Sequence, residues 1–120
     1  MINVKDQVYA ALCTAFDNVS DGYPKDWTQL PAVQYSEEEN NVYEYSNCGE
    51  EKAYIRYRVD IWDDASTSVH AVNADRVLSA LGLKRVSCKD VDDPQSRYKH
   101  KQMRYEAVID VTTEVTYNKR

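Results

Sequence analysis

Two carboxylate groups, Glu37-Glu38-Glu39 and Asp90, Asp92 and Asp93, are the side chains of this 120-residue chain whose clustering could do chemistry. Calcium binding would need oxygen ligands at alternating positions, a glycine at the turn and a distal glutamate. Neither group has that pattern, and both read as solvated loops. His70 and His100 have no nearby nucleophile or orienting group in sequence to mark either as a general base. Three isolated glycines leave no phosphate-cradling loop. Cys13, Cys48 and Cys88 are odd in number, widely spaced and without a CxxC pattern, which reads as reduced cytoplasmic thiols. Cys13, beside an apolar helix face, reads as a buried and inert thiol. These residues point to no cofactor, no metal and no enzymatic activity.

Charge offers contacts instead. Arg97, Lys99, His100, Lys101 and Arg104 form a basic stretch. It reads either as charge that keeps a strand edge from mispairing or as a surface for an acidic partner, such as Glu37, Glu38 and Glu39 of an adjacent copy. Tyr54, Arg56, Arg58 and Trp62 share one face of an alternating segment, and aromatic and Arg side chains are enriched where interfaces are strongest. The alternatives are a solvated face, or Trp62 covering a helix.

Composition narrows the classes. With 29% charged and 42% hydrophobic residues the chain suits a single globular domain spanning residues 1–120. A net charge of −5 argues against general nucleic-acid binding. No apolar run approaches a membrane span, and the first seven residues are too polar for a signal peptide. Ten tyrosines stand against one phenylalanine, which suits half-exposed sheets and interfaces as well as plain strand propensity.

The elements that position these residues follow from periodicity. Val4, Val8, Leu12, Ala15 and Val19 recur at helical spacing behind a candidate cap at Asn3. Residues 23–31, with Pro24 and Pro31, read as an irregular link from which Trp27 folds back as a lid. Residues 32–36 and 42–46 read as two short strands around a polar loop at 37–41. Asn47-Cys48-Gly49 reads as a hairpin turn. Ala53, Ile55, Tyr57, Val59 and Ile61 alternate cleanly. Ala74, Val77, Leu78 and Leu81 give a second helix, with Gly82 as its terminator. Residues 83–88 suit a strand and 89–97 an exposed loop. The expected fold is α+β: a mostly antiparallel four- to five-stranded sheet with two helices packed on one face.

Residues 98–117 read as one long last strand without Gly or Pro. Its 103–117 portion would reach about 50 Å at roughly 3.3 Å per residue. A domain of this length is only about 35 Å across. Such a strand must bend within the fold or pair with a neighbour.

The layout resembles the tail completion or tail terminator proteins of long-tailed bacteriophages and prophages. The resemblance is carried by Tyr23-Pro24, Leu30-Pro31-Ala32-Val33-Gln34-Tyr35, Asn40-Asn41, Tyr57-Arg58-Val59-Asp60-Ile61-Trp62, Ala80-Leu81-Gly82-Leu83 and the opening of the last strand at residues 98–105. It implies a virion protein of the tail and neck, made in the bacterial host cytoplasm. Such a protein forms a homo-oligomeric, usually hexameric, ring on the tail tube protein, ends tail growth and joins the tail to the head-tail connector protein. DNA would pass through the lumen without specific binding, and no membrane is involved. The family has no shared active-site residues to carry over. A head-side connector (stopper or adaptor) of the phage neck, and a non-phage small-ligand or regulatory binding domain, are the alternatives.

Overall fold

A computed structural model describes residues 1–47, 49–92, 97–114 and 116–117. The fold is α+β, a mixed and mostly antiparallel sheet with two helices. In chain order the elements are α1 (Lys5–Cys13), β1 (Asn18–Asp21), β2 (Ala32–Ser46), β3 (Gly49–Asp63), α2 (Ser68–Ala80), β4 (Lys84–Val91), β5 (Lys99–Asp110) and β6 (Thr116–Tyr117). Across the sheet the order is β1-β2-β3-β5-β4, with β6 also on β5. Among the described residues only the β1–β2 pair is parallel.

The alternating row of β3 forms the centre. Ala53, Ile55, Tyr57, Val59 and Ile61 are all buried. One buried cluster joins them to Met103, Tyr105, Ala107 and Ile109 of β5, Val8 and Leu12 of α1, and Ala71, Ala74, Val77 and Leu78 of α2. Gly82 ends α2 as its position predicts. Its φ of +93° suits a residue without Cβ. Its N–H donates to the Ser79 carbonyl at 2.9 Å, and that of Leu83 donates to Leu78 at 3.3 Å. These paired bonds close the last helical turn.

Helix α1 starts with Val4, not Asn3, at its N-cap position and with no side-chain cap bond; Asn3 lies one residue earlier, its Oδ1 accepting the Lys5 backbone N–H at 3.1 Å. The helix stops at Cys13, earlier than the apolar spacing predicts. The turn at residues 14–16 bonds back to Ala11 and Leu12, and Val19 reaches the core from β1, a strand, rather than from the helix. A single apolar residue one turn on cannot distinguish those two routes. Cys13 is exposed, contrary to the expectation of burial, as is Cys88; Cys48 lies outside the described residues.

Residues 37–41 are not a loop. They run inside β2, which continues unbroken from Ala32 to Ser46. A register shift between Glu37 and Glu39 accommodates them against Tyr57 and Arg56. The bulge lets Glu37 accept the Tyr57 hydroxyl at 3.2 Å and the Asn40 side-chain N–H at 3.1 Å. Strand β4 likewise extends to Val91, into the segment expected to be loop.

The last strand also differs from expectation. β5 ends at Asp110, whose Oδ1 accepts the Thr112 and Thr113 N–H groups at 2.9 and 2.8 Å. Glu114, at φ +61°, donates its N–H to the Asp110 carbonyl at 2.8 Å. The chain then returns as β6, pairing Thr116 with Ile109 and Tyr117 with Val108. Residues 98–117 are therefore a strand, a tight reversal and a short return. The segment does not overshoot its own domain.

The surplus length lies elsewhere. The molecule measures 53 × 23 × 22 Å, and β2 and β3 are 15 residues each, paired to their ends at Ser46 and Gly49. β1 flanks β2 only from Ala32 to Tyr35, and β5 leaves β3 at Lys52. The hairpin passes beyond both.

Candidate assembly surface

Alternation puts Tyr54, Arg56, Arg58, Asp60 and Trp62 opposite the buried row of β3. Their ladder partners are Val108, Glu106, Arg104, Gln102 and His100 on β5. Several charges on this polar side pair across strands, although Arg56 Nε is buried without a hydrogen-bond partner. Arg104 Nε donates to Glu38 Oε1 at 3.0 Å, and the Arg56 guanidinium lies 3.4 Å from the same oxygen. Glu38, Glu39, Arg56 and Arg104 line an open depression of about 310 Å³. Tyr54 donates to Glu106 at 2.6 Å. Burial, then that bond, push the Tyr54 hydroxyl up to about 12.

Asp60 is almost fully buried within this side. Arg58 Nε donates to its Oδ2 at 2.9 Å, His100 Nε2 sits 2.7 Å from its Oδ1, and Gln102 donates at 3.4 Å. Burial works to raise its pKa, but the His100 hydrogen bond and the Arg58 charge prevail and hold the carboxyl below its ordinary value. Beside it Trp62 stacks on His100, ring centres 4.5 Å apart, and meets Trp27 and Tyr23 edge-on. Trp27 in turn stacks on Tyr98. Trp27 is thus a lid, but over the polar side of the sheet and not over the apolar core.

The contact residues expected from sequence are dispersed by this geometry. Glu38, Glu39, Arg56 and Arg104 come together. Glu37 turns away toward Tyr57. Tyr54 and Arg58 pair with Glu106 and Asp60, and Trp62 joins the aromatic group. Arg97 lies over the Tyr98 ring and donates to its hydroxyl at 2.9 Å. Lys101 is 2.9 Å from Asp90, and exposed Lys99 stands opposite Asp63 in the ladder. Lys101 and Arg104 therefore already meet carboxylates of their own chain.

Sequence reasoning singled out none of the exposed hydrophobic residues on the hairpin edge. Val42, Tyr43 and Tyr45 are exposed on β2, and from Ser36 to Ser46 that strand has β3 on one side and, among the described residues, no strand on the other. The signal was the tyrosine excess, diluted because Tyr35, Tyr54, Tyr57 and Tyr105 are buried. Among the described residues no group of three or more His, Cys, Asp or Glu side chains is placed to hold a metal ion. No described helix is long and apolar enough to cross a membrane. The chain matches no known protein-family model and none of the curated proteins compared with it.

Proposed function

We propose that this chain is a structural virion protein that joins copies of itself into a ring, six by the family it resembles. The ring caps a phage tail tube, ends its growth and joins the tail to the head connector. One observation carries the reading: β2 runs on past β1 with Val42, Tyr43 and Tyr45 exposed along an edge that, among the described residues, has no strand beside it. A strand edge of that kind is a template for pairing. In the ring the two helices pack on one face of the sheet as the body of each subunit, and the hairpins make the contacts. A chain of net charge −5 lines a DNA passage with little attraction for phosphate, so the genome slides.

The test is deletion of the gene from its phage, with tails viewed by electron microscopy. Overlong, headless tails that a plasmid copy returns to normal length are expected. Normal-length tails lacking heads would move the protein to the head-side connector. Intact virions would reject the reading.

A further inference from the structure

The two outer edges of the sheet carry opposite charge at matching intervals. On β2, Glu39 pairs with Arg56 and Glu44 with Lys52, so the ladder runs from position 56 to 52 between them. On β4, Lys84 pairs with Glu106 and Lys89 with Gln102, so the ladder runs from 106 to 102. Each pair spans the same number of ladder steps, and each strand carries a register shift inside that span. All four side chains are exposed, on the side of the sheet opposite the buried row, and the Glu44 carboxylate also lies 3.4 Å from Lys52 of its own chain. β2 runs against β3, β3 against β5 and β5 against β4, so β2 and β4 point in opposite directions.

We infer that the β2 edge of one copy pairs antiparallel with β4 of the next, Glu39 facing Lys89 and Glu44 facing Lys84. This joint deepens the ring reading and rests on it for closure. Backbone hydrogen bonds along the two strands supply the attachment. The charges select the register, because a slip by one residue turns them to the other face. Such a contact is head-to-tail, each copy offering one edge and receiving another.

The register also fixes a geometry. Lys89 stands at the level of Asp60 on β3, through Gln102, whereas Glu39 stands at Arg56. Neighbouring copies are thereby offset by about 13 Å along the strands, at roughly 3.3 Å per residue. The repeat across the sheet is β2, β3, β5 and β4, about 19 Å at roughly 4.8 Å per strand. Copies arranged around an axis without climbing it then have strands tilted by about 35°, within the range of closed sheets.

The experiment exchanges the charges. Lys84→Glu with Lys89→Glu makes one variant, and Glu39→Lys with Glu44→Lys the other. Sedimentation velocity is run on each, on their equimolar mixture and on wild type. Each variant alone is expected to associate at least about tenfold more weakly than wild type, and the mixture to recover, since each supplies the edge that the other has lost. Recovery also excludes misfolding as the cause. Variants that assemble like wild type, or folded variants whose mixture stays dispersed, would overturn the joint while leaving a ring built another way. A wild type monomeric into the millimolar range would overturn it too, and tail length in the deletion phage would then judge the functional reading separately.

Discussion

His100 Nε2 lies 2.7 Å from Asp60 Oδ1, one diagonal step across the β3–β5 ladder, while its ring stacks on Trp62. A buried carboxylate on the polar side of the sheet is thereby held charged.

Asp60→Asn should lower stability by about 2–3 kcal/mol at neutral pH, the worth of charged hydrogen bonds lost from a buried site. The Asp60 carboxyl is held below its ordinary value in the fold. The folded state therefore binds fewer protons here than the unfolded chain, whose carboxyl titrates near pH 3.9. The contribution is whole above that pH and is lost as pH falls through the folded value. Urea unfolding of both proteins should show a constant gap from neutral pH to about pH 5, closing only below about pH 4. A gap already closing at pH 6 would contradict a carboxyl held below its ordinary value.

Three tyrosine hydroxyls should resist ionisation. Tyr54 is pushed up to about 12, and Tyr57 and Tyr105 are raised further, by burial first and then by their bonds to Glu37 and Asp75. Absorbance at high pH should show these three ionising only as the protein unfolds. Tyr105→Phe removes a 2.8 Å bond from β5 to Asp75 of α2 and should cost about 1–1.5 kcal/mol.

Gly82→Ala should destabilise by about 1–2 kcal/mol, because φ +93° is strained for any residue with a Cβ. The new methyl would also stand 3.0 Å from the Thr116 side chain, where β6 closes over the end of α2. Thermal melts of the variant and of Thr116→Gly in both backgrounds separate the two terms, since the Thr116 Cβ is itself one of the atoms at 3.0 Å. A melting point equal to wild type would contradict the backbone account.

Replacing residues 43–52 by an Asn-Gly turn should leave a folded body, since Val42 is exposed and Ala53 is the first buried residue of β3. The shortened protein should keep its circular dichroism and fail to assemble. Undiminished assembly would remove the hairpin from the contact.

Elements whose pattern is set by burial were legible in the sequence. β3 alternates because one row is core, and α2 shows its stripe and its Gly82 stop. Elements set by pairing were not. β1 is four residues long and exists because β2 lies beside it. The reversal after Asp110 uses two threonines and a side-chain cap in place of Gly or Pro, so strand-like composition continues through a turn. Glu37, Glu38 and Glu39 look like loop residues because charge says solvent, yet a bulge places one inward and two outward. The polar network around Asp60 was hidden for a related reason: His100, Gln102 and Asp60 meet only once β3 and β5 are in register.

β1 has a consequence out of proportion to its size. It occupies the flank of β2 from Ala32 to Tyr35 and ends with Asp21. Any strand laid along the rest of β2 abuts that end and can slide no further toward Ala32. Four residues thus act as a doorstop, giving an otherwise open edge a single starting mark from which a newcomer is measured.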